Sequence, residues 1–219
     1  MSEHMALENL TVLDLTRVLA GPFCTMMLAD MGANVIKIEV PKGGDDTRSY
    51  PPFRAKNLNG ERESVYFANI NRNKKGITLN LKAPEGKEIF KELVKKADIV
   101  VENYRPGVMD KLGLGYDVLK EINPRIIYAA VSGFGCYGPY HLRPGYDILA
   151  QAMGGMMSIT GSKGGEPTRA GSALGDILGG LHVTIGILAA VNARTITGKG
   201  QRVDVRLLDS MIAATKNTA

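Results

Sequence analysis

One carboxylate in this 219-residue chain stands in a setting that chemistry could use. In Gly171-Ser172-Ala173-Leu174-Gly175-Asp176-Ile177-Leu178-Gly179-Gly180, Asp176 falls at the start of a very apolar helical run. Two readings are open there. Asp is a favoured helix N-cap, worth about 1 kcal/mol. Alternatively, the helix dipole holds the carboxylate anionic, the small residues Gly175, Gly179 and Gly180 leave room for a ligand, and the group serves as a covalent nucleophile.

The other motifs point to less. Gly133-Phe134-Gly135-Cys136-Tyr137-Gly138 is a G-x-G-x-x-G after a predicted strand. A dinucleotide site needs a helix N-terminus immediately afterwards to hold the pyrophosphate. Here Pro139 and then Pro144 follow, and the acid expected further on, Glu166, falls in a loop. The first strand-to-helix turn, Thr16–Pro22, lacks the fingerprint as well. Lys42-Gly43-Gly44 and Thr197-Gly198-Lys199-Gly200 lack the spacing that cradles nucleotide phosphates, and the second reads as a tight turn. Metal-ligand spacing is absent. His4, His141 and His182 are scattered, and His182, inside an apolar helix, reads as a core residue. Cys24 and Cys136 read as reduced, mostly buried thiols of a cytosolic protein.

The elements that must position Asp176 alternate. Leu10–Thr16 reads as a strand, Gly21 to Met31 as a helix closed by Gly32, and Asn34–Val40 as a second strand. That is a βαβ unit, the sign of a parallel sheet. A polar loop (Pro41–Glu63) precedes a strand at Ile77–Leu81. Pro84–Ala97 is amphipathic, with Pro84 and Glu85 suited to the first turn and Lys95 and Lys96 to the last. Ile99–Glu102 is a short apolar strand, as in a sheet covered on both faces. Tyr116–Ile122 reads as helix, Arg125–Val131 as strand and Tyr146–Thr160 as helix. After a loop at Gly161–Gly171 come a long helix (Leu174–Arg194), a strand (Gln201–Arg206) and a final helix (Leu207–Thr218). The order predicts an α/β, doubly wound, mostly parallel sheet of Rossmann type without the dinucleotide fingerprint.

Composition narrows the classes. Hydrophobic residues are 44% and charged residues 22%, which excludes a mostly disordered chain. The 27 basic against 22 acidic residues leave +5, with no dense basic run of the nucleic-acid-binding kind. Such a surface suits a phosphorylated small molecule. Met1–Asn9 lacks the apolar core of a signal peptide. The apolar stretch Ile177–Ala193 carries Gly179, Gly180, His182, Thr184 and Asn192, so a buried helix is expected there rather than a membrane span. Residues 1–8 read as a tag-like tail and 9–219 as one large domain. The final helix ends without a terminal design, so the sequence is expected to be the N-terminal part of a longer protein.

Five ordered strings resemble the class III CoA-transferases, the family of formyl-CoA transferase and carnitine CoA-transferase that also holds α-methylacyl-CoA racemase. They are Leu13–Pro22 (LDLTRVLAGP), Gly32–Glu39 (GANVIKIE), Asn71–Ile77 (NRNKKGI), Ala97–Gly107 (ADIVVENYRPG) and Leu174-Gly175-Asp176. The resemblance runs from about Leu10 to the end. It implies that Asp176 is the catalytic aspartate, attacking a donor thioester to give a mixed anhydride and then an aspartyl-CoA thioester. It implies no permanently bound cofactor, with coenzyme A or acyl-CoA as substrate. It also implies CoA contacts at Arg17, Val18, Leu19 and Ala20, at Leu79 and Lys82, at Asn103, Tyr104, Lys111 and Leu112, and at Arg143. The chain departs from several members at Arg17 and Leu19, where they carry His and Gln. Lys74, Lys75, Lys82, Lys111 and Arg143 offer the positive charge that CoA phosphates need, although each alone also reads as a solvated side chain.

The racemase branch resembles Gly-His-Asp where this chain has Gly145-Tyr146-Asp147. A two-base racemisation needs a second group that takes a proton near pH 7, and tyrosine titrates near 10. CoA transfer to a carboxylic acid is therefore expected ahead of racemisation, with a non-catalytic CoA-binding module as the third reading. Tyr146 and Asp147 join the expected site; Asp147 either orients neighbours or caps a helix. The resemblance further implies a second, small domain outside this chain, an interlocked homodimer and a cytoplasmic location, with no nucleic acid or membrane as partner.

Overall fold

The computed structural model describes residues 4–56, 60 and 62–217. Six strands form one sheet: β1 Thr11–Asp14, β2 Asn34–Glu39, β3 Lys75–Thr78, β4 Ile99–Glu102, β5 Ile127–Ser132 and β6 Arg202–Arg206. Their order is β3-β2-β1-β4-β5-β6, and every neighbouring pair is parallel. The expected doubly wound sheet is therefore present and wholly parallel. The helices are α1 Ala20–Asp30, α2 Val65–Ile70, α3 Pro84–Val94, α4 Val108–Leu112, α5 Tyr116–Ile122, α6 Asp147–Met153, α7 Leu174–Thr197 and α8 Leu207–Thr215.

Alternation along each strand builds two cores. Val12, Val35, Ile99, Val101, Ile127, Ala129 and Val131 face α1, α7 and α8. Leu13, Ile38, Val100, Tyr128 and Ala130 face α3 and α5 with Phe90, Val94 and Leu119. Each such aliphatic side chain, buried, contributes about 1.5–3 kcal/mol against exposure. The near-continuous apolar runs of β4 and β5 follow from this covering on both faces.

Several boundaries differ from the sequence reading. The strand expected at Ile77–Leu81 is Lys75–Thr78, paired to β2 through Ile36–Glu39. A helix, α2, follows the long loop, and Ser64 caps it by accepting the Phe67 N–H at 3.2 Å. The helix expected over Tyr146–Thr160 stops at Met153, because Gly154 and Gly155 break it and Gly155 takes φ 84°. A 3-10 turn at Met156–Ile159 follows. α8 ends at Thr215; the expected end at Thr218 lies outside the described residues. So do Met1, Ser2 and Glu3 of the expected tail. The remainder of that tail is partly packed: Leu7 is buried in the first core and its N–H donates to Met31 O at 3.0 Å.

α7 is long and apolar enough to span a membrane, yet one face packs on α1, β5 and β6. Val183, Ile187 and Ala190 are buried there, whereas Leu181, Ile185 and Ile196 are exposed on the other side. His182 is exposed as well, which corrects its reading as a core residue. Its place on α7 turns it away from the buried Val183–Ile187 stripe.

Candidate active site

In the strand order seen here, the winding of the chain reverses between the parallel neighbours β1 and β4, and the loops leaving their C-terminal ends diverge into a crevice. A cleft of about 350 Å³ opens at that point. Arg17, Val18, Leu19 and Ala20 line it from the loop after β1, and Asn103, Tyr104, Arg105, Pro106 and Val108 from the loop after β4. Val131–Gly133 contribute from β5, Arg143–Tyr146 from the segment before α6, and Asp176 from α7.

Nine expected site residues thus share one cleft: Arg17, Val18, Leu19, Ala20, Asn103, Tyr104, Arg143, Tyr146 and Asp176. Leu79, Lys82, Lys111, Leu112 and Asp147 are not in its wall. Leu79 and Leu112 pack on the second core, and Lys82 and Lys111 are exposed. Lys74 is not available to any phosphate. Its ammonium is buried against Asp14 at 3.0 Å and also donates to Asn71 Oδ1 at 2.8 Å and Pro22 O at 3.0 Å.

Asp176 is the third residue of α7, so it is not the cap; Ala173 holds that position and offers no capping side chain. Asp147, the first residue of α6, supplies the missing acceptor instead: its Oδ1 takes the Gly175 N–H at 2.8 Å. Its Oδ2 accepts from Gln151 Nε2 at 2.8 Å, and Arg169 lies 3.8 Å away. Asp147 therefore orients the start of α7, while Asp176 remains without hydrogen bond or ion pair among the described residues. Burial, and then the Asp147 charge, push the Asp176 carboxyl up to about 7. Desolvation and a like charge thus outweigh the helix dipole expected to hold it anionic, an effect worth about 0.3–1 kcal/mol.

Two side chains of the region escaped the sequence reading. Tyr66, on α2, has its phenol pushed up to about 12 by burial and then by the Asp176 charge. Its signal was the Ser64 cap before Val65-Tyr66-Phe67, obscured by the polar loop. Glu102, at the end of β4, accepts the Tyr104 N–H at 2.7 Å and the Tyr128 hydroxyl at 3.1 Å, and burial pushes it up to about 7. Both thiols are free and pushed up to about 12 by burial; Cys24 is buried and Cys136 partly so.

The loop after β1 rests on buried charge. Asp14 is fully buried and is held below the ordinary carboxylate range: burial opposes ionisation, but Lys74, Lys37, Thr16 and Thr25 outweigh it. Beside it, Lys37 Nζ meets Asp45 Oδ2 at 2.9 Å. Below the cleft the chain crosses itself. A Cβ on Gly133 would meet Gly145 Cα at 2.2 Å, and one on Gly145 would meet Gly133 Cα at 2.2 Å. No helix follows Gly138, as expected from Pro139.

With this geometry in place, comparison with known proteins is specific. The family model for CoA-transferase family III matches residues 7–219. The chain is 50% identical to an acyl-CoA transferase of Fusarium pseudograminearum over 99% of its own length and 48% of that protein. It is 48% identical to succinyl-CoA:mesaconate CoA-transferase of Haloarcula marismortui, over 97% of this chain and 54% of the relative. A solved CAIB/BAIF family protein from Brucella suis superposes with a TM-score of 0.93 at 45% identity, covering 98% of this chain and 56% of that one. The chain spans about half the length of the curated relatives it matches.

Proposed function

Because this chain belongs to CoA-transferase family III, we propose that it carries the CoA-binding domain and the nucleophile of an acyl-CoA:carboxylate CoA-transferase. The observation that carries this reading is Asp176: a carboxylate without hydrogen bond or ion pair among the described residues, open to a cleft at the sheet's switch point. The acyl-CoA lies in that cleft, with Arg105 and Arg143 in its walls as partners for anionic groups, beside Arg17, whose guanidinium also pairs with Asp46 at 2.9 Å.

In the proposed reaction an Asp176 carboxylate oxygen attacks the thioester carbonyl. The C–S bond breaks, and CoA thiolate leaves behind a mixed anhydride. The thiolate then attacks the aspartyl carbonyl and expels the donor acid as a carboxylate, which leaves an aspartyl-CoA thioester. An acceptor carboxylate reverses the two steps. No net proton is consumed and the thioester energy is kept, provided that water is excluded. The first step needs Asp176 ionised, so the acid limb of the rate reports its titration.

The homologue from Haloarcula marismortui, named for succinyl-CoA and mesaconate, supports small carboxylic acids as the acids exchanged. The exposed apolar face of α7 at Leu181, Ile185 and Ile196 supports an interlocked dimer completed by a second domain outside this chain. A cytoplasmic site of action suits two protonated, unpaired thiols. Incubating the full-length protein with acyl-CoA and hydroxylamine tests the chemistry. Mass spectrometry should find a hydroxamate on Asp176, and an active enzyme left unlabelled there would sink the reading.

One observation favours a second reading. A carboxyl titrating near 7 also suits proton transfer at the α-carbon of an acyl-CoA, as in a racemase. Tyr146 in the cleft wall, where the racemase branch resembles histidine, argues against it. Deuterium wash-in from solvent at the substrate α-carbon separates the two.

A further inference from the structure

The cleft wall at Arg17–Val18 is held in an unfavourable shape. Val18 has φ 68°, in the left-handed region that a β-branched residue rarely adopts. Such a conformation persists only where its surroundings over-determine it. Here three groups grip the backbone on either side. Lys37 Nζ donates to Thr16 O at 2.7 Å. Asp45 Oδ1 accepts the Val18 N–H at 3.2 Å. Asn103, from across the switch point, accepts the Arg17 N–H at 2.9 Å through Oδ1 and donates to Arg17 O at 2.7 Å through Nδ2.

Lys37 and Asp45 are joined to each other, and neither side chain is more than 2% exposed. Asp45 is itself fixed: its Oδ1 also takes the Thr47 N–H at 3.0 Å and hydroxyl at 2.8 Å, and its own N–H donates to Glu39 Oε2 at 2.7 Å. A buried ion pair is weak support for stability, because apolar residues of similar volume commonly do as well or better. What this pair does that an apolar pair could not is grip two backbone groups that flank Arg17.

We propose that the buried Lys37–Asp45 pair is a positioning device that holds Val18 in its left-handed turn, setting the wall against which acyl-CoA reacts. The inference rests on the CoA-transfer reading and adds two residues to it that touch no substrate. The pair works through the loop, with Asn103 as the clamp on the opposite side. Asn103, expected as a CoA contact, has both ends of its amide engaged on Arg17.

The test uses full-length protein. Lys37→Met with Asp45→Leu replaces the pair by apolar side chains without stranding a charge. The double variant is expected to fold, to raise KM for acyl-CoA and to lower kcat/KM by about 10- to 100-fold. Adding Val18→Gly, which adopts the turn freely, should restore at least about fivefold of that loss. Unchanged kcat/KM in the folded double variant, or no rescue by glycine, overturns the proposal. Should the double variant not fold, melting temperatures of Val18→Gly and Val18→Ala decide. Both remove the branched methyls but only alanine keeps a Cβ, so a strained turn makes the glycine variant the more stable, and the reverse order overturns the proposal. Wild-type protein that transfers no CoA defeats the CoA-transfer reading, and the order of the two melting temperatures still judges the turn.

Discussion

Replacing Asp147 by Asn should make the enzyme faster in acid relative to wild type. Asp176 rises from the ordinary 3.8 to about 7, with burial the larger cause and the Asp147 charge the smaller. Asp147 then accounts for less than half of the rise, or about one pH unit, equivalent to about 1.4 kcal/mol of repulsion. Asparagine keeps an oxygen for the Gly175 N–H and removes the charge. The acid limb of kcat/KM, near pH 7 in the wild type, should move to about 6. At pH 6 the ionised fraction of Asp176 would rise from about one-tenth to about one-half, so the pH-dependent factor in kcat/KM improves about fivefold relative to its plateau. At pH 8.5 both proteins sit on their plateaus. Rate profiles from pH 5 to 9 on full-length protein provide the check. An acid limb that stays put or moves upward would refute the electrostatic argument, because removing a negative neighbour can only ease ionisation.

Other perturbations have equally definite signs. Asp176→Asn should abolish transfer yet stabilise the fold at high pH. An aspartate whose folded value is raised costs nothing below about pH 4, where both states are protonated, and costs progressively more as pH climbs through 7. The Tm gain should be near zero at pH 4 and equivalent to a few kcal/mol at pH 8; a gain independent of pH contradicts this. Gly145→Ala forces a methyl into Gly133 Cα, backbone that cannot swing aside, and should cost about 2 kcal/mol or more while raising KM. A wild-type urea midpoint would show the crossing to be slack. Phe90→Ala empties a fully buried site far from the cleft and should lower stability by about 3–5 kcal/mol in urea titrations. A loss under 1 kcal/mol would mean the second core closes over the gap.

The sheet was legible because β1, β4 and β5 are short, largely apolar runs and helices with clear ends separate the strands. Pro84, Glu85 and the Gly32 stop are local signals, and local signals survive folding. Asp176 stood out because a carboxylate among glycines at the head of an apolar helix has few uses. What the sequence hid depends on partners far along the chain. Asp176 reads as a cap until Asp147, 28 positions before Gly175, is seen to take the Gly175 N–H. Lys74 reads as a surface cation until the fully buried Asp14 is found beneath it. Tyr66 gives no periodic signal in a helix of six residues. The G-x-G-x-x-G was rejected for the proline after it, yet its first glycine has a use of its own: it lets the backbone pass Gly145.

That crossing has a bearing on how such a chain can diversify. Residues 134–144 leave and re-enter the fold at one pinned point, so they form a closed excursion whose two ends do not depend on its contour. The excursion carries exposed Tyr137, Tyr140 and Leu142 and meets the cleft through Arg143 and Pro144. Closing a longer loop costs only about 0.6 kcal/mol per doubling of its length. Phe134 and Cys136 tie the start of the excursion to the core, so lengthening or rewriting the exposed stretch from Tyr137 to Leu142 would leave Tyr146, Asp147 and the start of α7 where they are. Ancestors of this sheet could try new rims around one fixed nucleophile, as a lathe takes different tools on the same spindle.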